Sequence, residues 1–264
     1  MLRSMYSGIG AMRNFQTKLD VIGNNIANVN TYGFKKGRTI FQDLMSQTIS
    51  GASGPSAASG GTNPRQVGLG SQLAAIDTIH TQGSLQTTGR VLDLAISGDG
   101  FFIVGDANGN NQMYTRAGNF YLDSEGYIVN ANGLYLLGDG GPLKIDSNAK
   151  SLSIGADGNV TIVDDTGNLQ LVGTIQLAKF ANPDGLEKEG NNLFRETVNS
   201  GDPQIGVPGA NGTGKLVSDA LEMSNVDLAE EFTEMIVAQR GFQANTRIIT
   251  TSDEILQELV NLKK

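Results

Sequence analysis

The chain has 264 residues, 39% of them hydrophobic and 17% charged, and its 35 glycines leave room for many turns and short strands in one large domain or two modest ones. A net charge of −8 argues against a nucleic-acid binder, which would show a basic patch or stripe. The lack of cysteine excludes disulfides, thiolate chemistry and cysteine zinc sites, and no apolar run approaches the ~18 residues of a membrane span.

Residues 1 to about 30 form one periodic segment. Met5, Met12, Leu19 and Ile26 recur every seventh residue, Phe15, Ile22 and Val29 follow three positions behind, and Leu2 and Ile9 extend the stripe. Two apolar columns at this spacing predict a helix with a coiled-coil-like seam. Gly8, Gly10 and Gly23 weaken an isolated helix by ~1 kcal/mol each, yet small residues let another backbone come close. The end of the segment carries four asparagines in seven residues: Asn24, Asn25, Asn28 and Asn30. Their amides donate and accept, so they can bond another chain without burying a charge. The plainer reading is a fraying helix end with a mixed polar face. Ser4, Gly8, Arg13 and Asn14 break any apolar core of a secretory signal, which leaves a cytosolic protein or one exported by another route.

From Thr31 the chain reads as a turn, Tyr32-Gly33-Phe34-Lys35-Lys36-Gly37, before a short helix or strand containing Ile40, Phe41, Leu44 and Met45. Residues 46–71 are Gly/Ser/Ala-rich with Arg65 as their only charge. Such a stretch is a flexible tether or an extended arm that orders against a neighbour. After Leu73 the period changes to two. Leu92, Leu94 and Ile96 alternate with Asp93, Ala95 and Ser97, and Phe101 to Val104 is a short apolar run. The pairs Asp99-Gly100, Asn108-Gly109, Glu125-Gly126, Asn132-Gly133, Asp139-Gly140 and Asp157-Gly158 then separate short apolar segments. This is the pattern of an antiparallel β domain whose last part, from Asn182 to Gly214, wanders.

Helix returns at the C-terminus, with Ser224 or Asn225 as candidate caps and Asp227, Glu230 and Glu231 suited to its positive end. Leu228, Met235, Phe242, Ile249 and Leu256 follow at intervals of seven, and Lys263 and Lys264 complement the negative end. The expected fold class is α+β: residues 1–72 hold the N-terminal helix and linker arm, 73–216 an inserted antiparallel all-β domain, and 217–264 the C-terminal helix. The two terminal helices need a packing surface for their coiled-coil-like seams, either each other or many copies of themselves.

No enzyme pattern emerges. The single histidine, His80, reads as a lone surface residue in a polar stretch, and no metalloprotease, nucleophile-elbow or phosphate-loop motif is present. Gly68-Leu69-Gly70 lacks the third glycine of a dinucleotide fingerprint, and residues 106–117 lack the glycine and glutamate of a calcium loop. No cofactor, catalytic residue or metal ligand is expected.

Three stretches carry a resemblance. DVIGNNIANVNTYGFKKG at 20–37 resembles the signature of the bacterial flagellar axial proteins, the rod and hook family. TGRVLDLAISGDGFFIV at 88–104 is similar to the entry of that family's β domain, and 221–262 to its C-terminal motif. The resemblance implies a self-assembling tubular polymer in which paired terminal helices form an inner tube and the β domain lies outside. It implies export, unfolded and without a cleaved signal, through the flagellar type III apparatus, and a place in the hook or basal body. It gives the seam residues and Asn24, Asn25 and Asn28 a role as polymer contacts. Tyr32-Gly33-Phe34-Lys35 and Met235 to Arg240 look hook-like, so a compact hook protein of the Gram-positive kind is expected. Its partners are then copies of itself and the distal-rod, hook-cap and hook–filament junction proteins, with no nucleic acid and no membrane insertion. The long 46–71 stretch favours the alternative, a distal rod protein. A soluble β-rich binding module with helical ends is the remaining class.

Overall fold

The computed structural model describes residues 2–55, 60–107, 109–146, 149–165 and 167–262, with side chains from Ser4 onward. Lys263, Lys264, Asn108 and the Leu2 side chain therefore lie outside the described residues. The fold is α+β. It divides into a helix unit, made of residues up to Ile26, Gly37–Asp77 and Asp227–Lys264, and a β unit, made of Ala27–Lys36 and Thr78–Val226. The expected boundaries at 72/73 and 216/217 thus differ from the breaks at 77/78 and 226/227. Pairing explains both shifts: strand Ser71–Thr78 pairs with Gly37–Asp43, and strand Ala220–Glu222 pairs with Leu85–Thr87.

In the helix unit, α1 spans Leu2–Ala27 and α2 spans Leu228–Asn261. Both run without proline. The cap of α2 is Asp227, whose carboxylate accepts from the Ala229 amide at 2.8 Å. Asn225 is unavailable as a cap because it bonds the Lys36 amide (2.8 Å) and the Ile79 carbonyl (2.8 Å) instead. Residues 46–71 carry a two-stranded ribbon rather than a structureless tether. Ser46–Ser50 pairs antiparallel with Arg65–Gly68, and a further bridge joins Ser53 to Thr62. Every residue of the two paired strands is exposed.

The paired strands of the β unit run antiparallel. Its largest sheet runs, strand to strand, through 187–190, 193–195, 113–115, 101–105, 135–138, 128–129 and 121–122. Phe101–Gly105 is its central strand and is buried on both faces. Period-two alternation sends Phe102 and Val104 into one core with Leu94, Ile96, Phe120 and Leu136. Phe101 and Ile103 face a second core with Tyr114, Phe180 and Phe194. A strand dressed on both sides reads as a continuous apolar run, as it does here. The region from Asn182 to Gly214 does not wander. It forms strands 187–190, 193–195 and 204–206, anchored by the buried Leu193 and Phe194. In the turn pairs the glycines supply the left-handed backbone that hairpins demand, as at Gly133 (φ 80°).

Candidate assembly surfaces and a buried lock

Within the helix unit, contacts fix the direction of the two helices. Gly8 faces Ile249, Met12 faces Thr246, Phe15 faces Gly241, Lys18 pairs with Glu234, and Asn25 bonds Glu231. Early residues of α1 meet late residues of α2, so the pair is antiparallel. On α2 the half-buried column Met235, Phe242, Ile249 and Leu256 alternates with Glu231, Ala238, Asn245 and Ser252. These sit four and three residues apart, and the second column is small or polar. Of it, Glu231, Ala238 and Ser252 are buried. The apolar column alone was legible in the sequence; its small partner column lacks the hydrophobic signal that periodicity searches for. Ala238 and Gly241 leave room for close approach: a Cβ added to Gly241 would lie 2.6 Å from the Phe15 ring.

The other expected contact residues fall in different places. On α1, Met5, Met12, Phe15, Leu19 and Ile26 are half-buried, Ile22 is buried and Ile9 is exposed. Leu228 is exposed at the start of α2, while Asn28 and Val29 are half-buried beyond α1. Asn28 accepts from the Thr31 hydroxyl at 3.1 Å. The asparagines divide. Asn24 is exposed, whereas Asn25 is 1% exposed and satisfied by its own chain. Its Nδ2 donates to the Gly37 carbonyl (2.9 Å) and to Glu231 (3.2 Å), and its Oδ1 accepts from the Gly37 amide (3.0 Å). A neutral amide does here what a charge would do at greater desolvation cost. Beside its covered column α2 leaves two apolar flanks open, Phe232 and Ile236 on one side and Val237, Ile248, Ile255 and Leu259 on the other, all exposed. Polar residues are expected where a helix is turned to water, so these flanks are fitted to be covered.

The β unit holds a second constellation that the sequence did not announce. Gly33, with φ 68°, brings the backbone so close that a Cβ would lie 2.5 Å from the Ala117 amide nitrogen. Its own amide donates to the Glu222 carbonyl at 2.8 Å. Two residues on, the fully buried Lys35 Nζ donates to Glu222 Oε1 (2.6 Å) and to the Thr81 carbonyl (2.8 Å). Glu222 also accepts from the Gly83 amide (2.9 Å) and from Arg116 Nη1 (3.2 Å). Arg116 Nη2 closes the network on the Gly98 carbonyl at 2.8 Å. Burial lowers the Lys35 pKa, and the Glu222 carboxylate opposes that shift. Lys35, Gly98 and Glu222 come from the three stretches at 20–37, 88–104 and 221–262. The stretches are far apart in sequence and converge on one buried carboxylate.

His80 is not the surface histidine expected. Its ring packs edge-on against Phe101 (5.5 Å) and Phe194 (5.4 Å). Burial, then Lys35, Arg116 and Lys188, lower its pKa to about 4. Among the described residues no three His, Cys, Asp or Glu side chains converge as a metal site, and no helix is long and apolar enough to cross a membrane.

Three family descriptions match successive parts of the chain. They are the flagella basal body rod protein over residues 5–35, the flagellar hook protein FlgE/F/G D1 domain over 95–162, and the flagellar basal body rod FlgEFG protein C-terminal over 217–262. The flagellar basal-body rod protein FlgG of Bacillus subtilis is 61% identical, with all of both chains covered. The chain belongs to the flagellar rod and hook axial protein family. In Borreliella burgdorferi, the rod protein FlgG is 41% identical and the hook protein FlgE 34%, each covered in full together with this chain. The rod alignment there takes 268 positions and the hook alignment 443. The family places the chain in the bacterial flagellum. The comparisons also correct the preference for the hook: a rod protein is the nearer match both in identity and in length, and the turn at Tyr32 does not outweigh that.

Proposed function

We propose that this chain is the structural subunit of the distal rod of the flagellar basal body, built by self-association of its helix unit. One observation carries the reading beyond the family: exposed apolar side chains of α2 from Phe232 to Leu259, flanking the column that α1 covers, are left open. Neighbouring copies in a polymer supply what such flanks lack, and burial of each large side chain there contributes up to about 2 kcal/mol. Length and identity support the rod over the hook, since a rod relative is matched end to end in 266 positions. The role is mechanical, with no catalytic group in it, and the contacting partners are copies of the chain and the adjoining axial proteins.

The test is a double variant, Ile236→Asp with Ile255→Asp. Monomer folding should be unchanged by circular dichroism, because both side chains are exposed. Assembly into rod segments, followed by electron microscopy, should be lost. Normal rods from the variant would sink the assembly role of these flanks. Location is tested separately, by tagging the subunit in cells arrested before hook growth: label in the rod is expected, and label appearing only once hooks form returns the hook reading.

A further inference from the structure

We propose that the cavity bounded by His80, Arg116 and Lys179 in the β unit is a binding site for a single carboxylate group. The cavity holds about 210 Å³ and lies beside the buried lock. Arg116 is 3% exposed, and its two terminal nitrogens are spent on Glu222 and Gly98. Its Nε has no acceptor, and neither ring nitrogen of His80 has a partner. A buried donor left unmet costs about 1–3 kcal/mol, so two donors without acceptors mark a place built for something else. Lys179, also on the cavity, donates to the Gly212 carbonyl at 3.0 Å and has further donors to give.

Charge selects the kind of acceptor. Arg116 and Lys179 face the cavity against one carboxylate, Asp99. Behind them Lys35 and Glu222 offset each other. Among the groups that line the cavity the surplus is one positive charge, which a carboxylate neutralises. The unpartnered nitrogens are closed from solvent in the free chain. The occupant therefore meets them as the His80 ring turns toward the cavity. A free small acid and an acidic side chain of a second copy offer the same group.

His80 is the only histidine, so its imidazole resonances report on the site without ambiguity. The charged groups that face it are Lys35, Arg116 and Lys188, with Asp99 across the cavity. The full chain, labelled with nitrogen-15, is titrated with sodium acetate against sodium chloride at matched ionic strength. Acetate should raise the His80 pKa from about 4, saturably, by about one unit or tenfold in proton affinity. Lys179→Gln should weaken acetate binding severalfold while leaving the β-unit melt unchanged. A shift absent from monomer in acetate but present in assembled protein in acetate-free buffer assigns the carboxylate to a neighbouring copy. Only this second arm rests on the assembly reading. No shift in either arm, an equal shift with chloride, or undiminished acetate binding by Lys179→Gln overturns the site.

Discussion

Two cations, Lys35 and Arg116, share one buried carboxylate, Glu222, and the imbalance makes their substitutions unequal. Glu222→Gln leaves Lys35 without its carboxylate and Arg116 with only Asp99, and should destabilise the β unit by about 3–5 kcal/mol in urea melts. Lys35→Met removes one cation, leaves a one-to-one pair, and should cost clearly less. The reverse order would show that the carbonyl contact to Thr81, not the charge, is what Lys35 supplies. His80 adds a pH dependence of known sign. Its folded pKa is about 4 and its ordinary value 6.5, so the unfolded chain takes up the proton first as pH falls. The contribution of neutral His80 is fully present above pH 6.5 and is lost as pH falls toward 4, by at most about 3 kcal/mol. The β-unit melt of the wild type should drop across that window more steeply than that of His80→Leu. Parallel curves would remove His80 from the acid response.

At the scale of elements, α1 and α2 were legible because heptad columns are local signals, to which α2 adds a carboxylate-rich first turn. The β strands were legible wherever an Asp-Gly or Asn-Gly pair closed them. What the sequence could not supply was which glycine is pressed and which is free. Gly23 has nothing within 4 Å of an added Cβ, while Gly241 has the Phe15 ring at 2.6 Å. The two look alike in sequence and should respond with opposite sign. Gly23→Ala should stabilise the helix unit by up to about 1 kcal/mol through helix propensity. Gly241→Val should destabilise it by about 1–3 kcal/mol, by overpacking against Phe15. Thermal melts followed by far-ultraviolet circular dichroism decide the matter, and a stabilising Gly241→Val would disprove the close packing of α1 on α2. The buried lock escaped for a related reason. Lys35, Arg116 and Glu222 are ordinary surface residue types, and only the tertiary fold joins them across the chain.

At the scale of the molecule, the two units differ in how they are held. The β unit encloses two cores around Phe101–Gly105, whereas the helix unit has half-buried seams, open flanks on α2 and a ribbon with no buried residue. A two-stranded ribbon by itself is marginal in water, so its stability in a polymer must come from a surface beyond itself. Its Ser/Gly-rich composition hid it, because period-two patterning is visible only when one face of a strand is buried. Deleting Ser53 to Gly61 removes one side of the Ser53–Thr62 bridge beyond the paired strands. The melts of both units should stay within about 0.5 kcal/mol, as for other exposed sites. Assembled rods should still form but lose stiffness or straightness in electron micrographs, because contacts between neighbouring copies are removed while the seam between α1 and α2 is kept. Rods of unchanged shape would make the ribbon a passive appendage. A destabilised monomer would mean instead that the ribbon braces its own helix unit, placing it among the elements that fold the subunit rather than those that join one subunit to the next.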